Sequence, residues 1–391
     1  MPSISRSLSA ALALSLLAGS AIAAEEIKIG MIATFSGPPA ALGNQMRDGF
    51  MLALEEQGGT IGGLKAEVII EDDELKPDVA ITRAKKLIDS DEVDVVVGTI
   101  FSNMLAAIYK PVTESDTILI SPNAGPSIFA GRACHPNFFA TSYQNNQNAE
   151  AMGEYASTQD FGSVFLLAPN YQAGRDQLEG FKSRYTGKIA DEIYTPLGHK
   201  DFSAEIARIA ASGADAIYTF MPGGMGVRLV RQFREAGLAE SMTFLSAFTV
   251  DETTLPAQKD AAAGFFSAGN WAPDLDNAAS KAFVAAFEEK YGYVPGGYAM
   301  QGYDTVKILD AAVSGLDGDL SDLEAMRNAI LGAEFTSLRG DFFFNTNHFP
   351  IQDFYVMKVA QRDDGAWTTS VFQKVLDDAQ DSFAGECQRR G

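Results

Sequence analysis

Residues 93–127 read VDVVVGTIFSNMLAAIYKPVTESDTILISPNAGPS, and this stretch decides the fold. A β-branched run at 93–97 ends in Gly98 and a polar tip of Thr99, Ser102 and Asn103. A short helical pattern follows, then a second apolar run at 117–120 that ends in SPNAGPS. Strands buried on both faces read as continuous apolar runs, the mark of a parallel sheet, so the stretch is a βαβ unit with two polar strand tips side by side. In open α/β sheets ligands bind at the carboxyl ends of the strands. Ser102 and Asn103 also open the helix, so hydroxyl, amide and free N–H groups converge there. Such a tip holds an anion or a carboxylate, with no base or nucleophile beside it. The same residue types also serve as ordinary caps and turns, so the decision falls to the rest of the chain.

Working outward, residues 26–32 are a strand and ATFSGPPAALGNQ leads into a helix whose apolar face is Leu42, Met46, Phe50, Ala53 and Leu54. A strand at 66–70 follows, and Pro77 opens a helix with Ala80, Ala84, Leu87 and Ile88 as its buried stripe. The order β-α-β-α-β-α-β predicts a doubly wound sheet. A second set begins after NFFATSYQ. Strands at 163–168, 189–194, 214–220 and 242–245 alternate with helices, one of them at 202–211 with Ile206, Ile209 and Ala210 inward. A strand in GFFSAGNWAP, helices at 277–291, 298–313 and 322–331, the segment RGDFFFNTNHFPIQDFYVMKV and a strand at 368–371 close the chain. Helices that come after the second sheet imply a return to cover the first, with crossings near Thr141, Gly269 and Gly340. The expected fold class is therefore α/β, with two doubly wound parallel-sheet lobes joined by a multi-strand hinge. The expected domains are a signal peptide at 1–24, one lobe from 25–140 plus 271–339, and another from 141–270 plus 340–391.

The leader follows from its composition. Arg6 precedes an apolar run at 8–18, and Ala21-Ile22-Ala23 forms an A-x-A site, so cleavage is expected after Ala23 or Ala24 and the mature protein in a periplasm. No later stretch is apolar enough over its length to span a membrane. The two cysteines, Cys134 and Cys387, suit an oxidising compartment, where an even count favours a bridge over free thiols. The other reading makes Cys134 a nucleophile beside His135. Formal net charge is −21, which makes nucleic acid and anionic membrane surfaces poor partners.

An enzyme needs a reacting group, and the chain offers little. Its three histidines are scattered without metal-ligand spacing, so neither a metal nor a cofactor is expected. No G-x-G-x-x-G, phosphate-loop or G-x-S-x-G pattern occurs. The strand ends and crossings instead carry aromatic residues: Phe35, Phe101, Tyr143, Tyr171, Phe248 and Trp271. Flat side chains around a few polar groups describe a pocket for a small, partly apolar ligand.

The segments IGMIATFSGPPAALGNQMRDGFMLALEE, VVVGTIFSN, ILISPNAGPS, LLAPNYQAGRD, GGMGVRLVRQFREAGL and YAMQGYDTVKILDAA together resemble the type I periplasmic solute-binding proteins of ABC transporters, in the leucine/isoleucine/valine-binding family. The resemblance implies that a ligand carboxylate is held by Ser102 and the N–H groups around Asn103, Asn123 and Ala124, and that Ala173, Pro222 and Gly223 close over it. Phe35, Phe101, Tyr171, Phe248 and Trp271 are the candidates to enclose the ligand's ring, Tyr143 or Gln172 the candidates to bond a distal hydroxyl, and Ser36 and Leu42 are also expected among the ligand-binding residues. In amino-acid binders an acidic residue takes the α-ammonium; the matching position here is Phe248, and a buried unpaired charge is costly. A slip of three or four residues would bring Asp251 or Glu252 to that place instead. GRACHPNFF, PLGHKDFSAEIARI and NWAPDLDN are more similar to the branch that binds benzoates and phenylpropenoates, and Cys134 and Cys387 fall where that branch places a cysteine pair. The expectation is a monomeric binding protein that delivers a small, aromatic carboxylate to an inner-membrane ABC permease and its ATPase. A branched-chain amino acid as ligand, or a role as sensor for a membrane receptor, are the alternatives.

Overall fold

The computed structural model describes residues 26–388, so the leader and its cleavage residues Ala23 and Ala24 lie outside the described residues. The chain opens with β1 (Glu26–Ala33), α1 (Ala40–Glu56), β2 (Thr60–Ile61), β3 (Leu64–Asp72), α2 (Pro77–Asp89), β4 (Val95–Gly98), α3 (Ser102–Thr113), β5 (Ile118–Ser121), a turn of helix α4 (Ser127–Ala130) and β6 (Phe138–Ala140). These strands form one sheet in the order β2-β3-β1-β4-β5-β6, parallel except for β2. Val95, Val96 and Val97 are fully buried, as a central parallel strand requires. Gly98 has φ +154, and a Cβ there would come within 2.1 Å of Ile32 O, so only glycine fits where β4 ends beside β1.

The second lobe comprises α5 (Asn145–Ser157), β7 (Ser163–Pro169), α6 (Gln172–Arg184), β8 (Lys188–Thr195), α7 (Ser203–Ser212), β9 (Ala216–Phe220), α8 (Gly224–Glu235), β10 (Thr243–Ala247), α9 (Leu255–Gln258) and β11 (Phe266–Gly269). The chain then returns to the first lobe with α10 (Ala278–Tyr291), α11 (Gly297–Ser314) and α12 (Leu323–Leu331), where α11 packs along α1. Two glycines permit that approach: a Cβ on Gly49 would lie 1.9 Å from Ala299 O, and one on Gly302 would lie 2.1 Å from Met46 O. Finally β12 (Phe343–Phe344), β13 (Pro350–Gln361) and β14 (Trp367–Ala379) complete the second sheet, ordered β12-β13-β11-β10-β9-β7-β8 with β14 on β13.

The doubly wound class read from the sequence is the one observed, with three differences. Helix α5 was not anticipated, because residues Asn145 to Gly153 are all buried and no amphipathic stripe distinguishes them. β13 runs antiparallel to β11, and β14 pairs antiparallel with β13 in a ribbon at that edge of the sheet. Ala210, expected inward, is exposed; only Ile206 and Ile209 of α7 are buried, because the residue after Ile209 turns off that face. Cys134 and Cys387 are joined in a disulfide that ties the segment after α4 to the chain's C-terminal end.

In both sheets the strand order reverses, between β1 and β4 and between β7 and β9, and these are the places where open α/β sheets take ligands. Between lobes the chain passes three times, and the passages are braced at one point. Arg339 Nη1 donates to Thr141 O (2.9 Å), Ser142 O (3.2 Å) and Gln352 Oε1 (2.9 Å). Ser142 O also accepts from Asn270 Nδ2 (3.1 Å) and Gln352 Nε2 (2.6 Å). Arg339 is paired with Asp304 of α11 at 3.1 Å, with side chains 1% and 0% exposed. Removing one partner of such a pair strands the other charge in the interior. Arg339→Leu is therefore expected to cost about 3–5 kcal/mol in urea unfolding; a loss below about 1 kcal/mol, the value of an exposed pair, would mean that Asp304 reaches water.

Candidate functional site

Helix α3 begins without a capping side chain: Phe101 stands at its N-cap in extended conformation, and the first bonds of the helix run from Met104 and Leu105 N–H to Phe101 O. The N–H groups of Ser102 and Asn103 precede that turn and have no partner within the helix. The Ser102 side chain is oriented from the other lobe. Asn145, first residue of α5, accepts from Gly125 N–H through Oδ1 (3.1 Å), which fixes which end of its amide is which. Its Nδ2 therefore donates to Ser102 Oγ (3.1 Å) and to Asp176 Oδ2 (2.9 Å). With its oxygen already accepting, the Ser102 hydroxyl has its hydrogen left to donate. Asp176 is fully buried and also accepts from Ser127 N–H (3.1 Å), Ser127 Oγ (2.8 Å) and Gln172 Nε2 (2.8 Å). Burial pushes its carboxyl up, and these bonds oppose the shift.

In front of Ser102 lies a narrow cavity between the lobes. Its walls are a chain of rings: Phe101 to Tyr171 (6.3 Å between centroids), Tyr171 to Phe220 (6.3 Å), Phe220 to Phe248 (6.0 Å), and Phe248 to Tyr143 (5.4 Å) and Tyr298 (5.9 Å). Burial raises the phenols of Tyr143, Tyr171 and Tyr298 above their ordinary range, so all three stay protonated. No Lys, Arg, His, Asp or Glu lines this space among the described residues. It can hold a carboxylate by neutral donors and a helix end, and a flat apolar body between rings.

Of the residues expected from the sequence, Leu42, Phe101, Ser102, Asn123, Ala124, Tyr143, Tyr171, Ala173, Pro222 and Phe248 line this cavity. The polar groups of Asn123 are already engaged: Nδ2 donates to Ile100 O (2.7 Å), and Oδ1 accepts from the Tyr143 hydroxyl (2.7 Å). The N–H of Ala124 donates to Thr99 O at 3.3 Å, so it is not a free donor. Six residues lie outside the lining. Phe35 is held away by its N–H bond to Asp72 Oδ1 (2.9 Å) and by the Arg47 guanidinium 5.8 Å from its ring. Ser36 is exposed on the same loop. Asn103 sits one residue into α3, off the facing side. Gln172 is occupied by Asp176. Gly223 packs against Leu42 and Pro39, and Trp271 faces a neighbouring chamber, its indole N–H on Ser280 Oγ (2.9 Å). Ile100, Asn145, Gln177, Phe220 and Tyr298 line the cavity without having been singled out. Phe220 ends a strand and Tyr298 starts a helix, positions that carried a signal; Asn145 and Gln177 are brought in by α5 and α6 packing.

A family model for periplasmic binding proteins matches residues 26–366. The chain belongs to this family. A solved ABC-transporter solute-binding protein from R. palustris, in complex with benzoate, is 30% identical with a TM-score of 0.87, covering 93% of this chain and 99% of that one. A second, from Rhodopseudomonas palustris BisB5 in complex with 3,4-dihydroxy benzoic acid, is 29% identical with a TM-score of 0.84, covering 91% and 99%. Leu/Ile/Val-binding protein homolog 6 of Brucella melitensis is 26% identical over 374 residues, 93% of this chain and 95% of its own length. The chain is thus a solute-binding protein of an ABC transporter, not an enzyme. No helix among the described residues is long and apolar enough to cross a membrane.

The acids that follow Phe248 lie behind it, in a small chamber whose lining shares only Phe248 and Tyr298 with the first. Glu252 Oε1 accepts from Thr369 N–H (2.8 Å), Thr369 Oγ1 (2.7 Å) and Thr368 Oγ1 (3.2 Å), and burial pushes this carboxyl up to about 7. Between its ordinary value of 4.5 and about 7, the folded binding protein holds a proton that the unfolded chain has released. Stability contributed by Glu252 therefore falls as pH rises through that window, by at most about 3 kcal/mol. Urea unfolding at pH 5 and pH 8 should show wild type losing ground relative to Glu252→Gln as pH rises; parallel pH profiles for the two would place the Glu252 carboxyl at its ordinary value.

Proposed function

We propose that this binding protein captures a small aromatic monocarboxylate and delivers it to an inner-membrane ABC permease. The observation that carries the reading is a cavity walled by Phe101, Tyr143, Tyr171, Phe220, Phe248 and Tyr298, with donors at the start of α3 and no acidic side chain in its lining. The Ser102 hydroxyl and the first N–H groups of α3 fix the carboxylate, and the rings enclose the aromatic body. Lobe closure is favoured only by contacts the ligand makes with both lobes at once. Ser102 and Asn123 belong to one side, Tyr171, Phe220 and Phe248 to the other, so a ligand spanning the cavity supplies that difference. An amino acid would bring an ammonium next to its carboxylate, where no acid lines the space, and burying it unpaired is costly. The solved neighbours bound to benzoate and 3,4-dihydroxy benzoic acid support the aromatic reading. The name of the Brucella relative favours a branched-chain amino acid instead.

Thermal unfolding of the mature protein with benzoate, 4-hydroxybenzoate, p-coumarate, leucine and a dicarboxylate separates the two. A ligand at a thousand times its dissociation constant adds about 4 kcal/mol, a shift of several degrees. The aromatic acids are expected to raise the midpoint and leucine to leave it in place; the reverse pattern would overturn the proposal. Ser102→Ala should weaken binding of the aromatic acids about tenfold or more, the loss of a hydrogen bond to a charged group.

A further inference from the structure

Away from the cavity, the two lobes meet again at a charged contact. Arg362 opens the turn between β13 and β14, and both of its Nη atoms donate to the Glu288 carboxylate on α10: Nη1 to Oε1, and Nη2 to Oε2 at 3.2 Å. The ribbon belongs to the second sheet, and its base is tied into the passages by Gln352 Nε2 on Ser142 O (2.6 Å) and Gln147 Nε2 on Ala379 O (3.2 Å). Helix α10 is carried by the first lobe: Phe283 packs on Tyr303 of α11 with centroids 4.9 Å apart, and Lys290 is paired with Glu55 of α1. From Gln352 to Arg362 the strand covers roughly 30 Å. One end of the ribbon is thus fixed at the brace, and the other touches a helix of the opposite lobe. Among the described residues this is the only ion pair that joins the two lobes.

The arginine is oriented by its own turn. Its Nη2 also donates to Asp364 Oδ2 (2.8 Å), Asp364 Oδ1 accepts from Ala366 N–H (3.0 Å), and the Arg362 N–H donates to Ala366 O (2.8 Å). A guanidinium held in this way presents a fixed fork to a carboxylate. Nor is the pair sealed in. The Arg362 and Glu288 side chains are 32% and 27% exposed, and two open grooves meet at Gln361, one walled by Val284 and Arg362, the other by Tyr293, Val294 and Trp367. Charges within reach of water lose little when they part, which suits a contact that forms and breaks, unlike the buried Arg339–Asp304 pair.

We propose that Arg362 and Glu288 form a latch that holds the two lobes together around a captured ligand. The inference rests on ligand-driven closure of the cleft and not on which acid the cleft takes. Neither residue lines the cavity, so the pair acts by positioning the lobes. It engages after capture, slows escape and leaves the rate of capture unchanged.

Stopped-flow binding of 4-hydroxybenzoate to the mature protein reads the two rates separately. Arg362→Glu and Glu288→Arg are each expected to raise the dissociation rate about two- to fivefold, the range of a water-accessible ion pair, with the association rate unchanged. The double variant carrying both is expected to return to the wild-type rate, a recovery that general damage to the fold would not show. Single variants that dissociate at the wild-type rate, or a double variant as fast as the faster single one, overturn the latch and leave the carboxylate reading in place. If 4-hydroxybenzoate does not bind wild type, the carboxylate reading falls and small-angle scattering of the free protein at low salt decides the latch by itself. Each single variant is then expected to have a larger radius of gyration than wild type and the double variant to match wild type; identical profiles overturn it.

Discussion

One carbonyl holds the lobes in register. Ser142 O accepts from Arg339, Asn270 and Gln352, one donor from each of the other stretches that pass between or border the lobes. A buried ion pair is a poor source of stability by itself, because desolvation offsets most of the attraction. What the Arg339–Asp304 pair supplies here is geometry: a planar guanidinium with fixed donor directions that also reaches Thr141 O and Gln352 Oε1. An apolar hinge would allow the passages to slide past one another. Cross-bonding at Ser142 instead fixes the passages against one another.

The same segment carries the hinge into the site. Ser142 is the node, Tyr143 is a cavity wall, Gln144 caps α5 and Asn145 orients the Ser102 hydroxyl, so four consecutive residues run from the brace to the cavity. Asn145 and Asp176 come from the second lobe and Ser102, Gly125 and Ser127 from the first. The Ser102 hydroxyl is thus oriented by contacts that cross between the lobes. On the proposed reading, carboxylate recognition and the contact between the lobes share one network.

Much of this was legible in the sequence where the cause is local. Parallel strands announce themselves by unbroken apolar runs, and their polar ends gave Ser102, Asn123, Tyr171 and Phe248 their places at the cavity. Legibility stopped where placement depends on partners far along the chain. Asn145 reaches the site because α5, uniformly buried between elements, packs against α6. Phe35 was drawn off by Asp72 and Arg47, contacts that its own loop does not reveal. That the cleft is two chambers rather than one follows from Phe248 meeting Tyr298, fifty residues later in another lobe, and no local pattern encodes such a meeting.

In the proposed reading, that meeting decides the ligand class more than the presence of an acid does. The chain is strongly acidic, and Asp251 and Glu252 stand within four residues of Phe248. Read as sequence, they offer an ammonium partner. In space the Phe248 ring closes them off, and Glu252 is already bonded to Thr368 and Thr369. The cavity in front of Ser102 is left neutral, so a carboxylate there meets hydroxyl and N–H dipoles in surroundings of low polarity, where such bonds count for more than in water. A ligand with an adjacent ammonium would forfeit its hydration at that same place and gain no counter-charge. On the proposed reading, selectivity lies in a backbone turn at Phe248 that points a ring, and not a carboxylate, at the middle of the cleft.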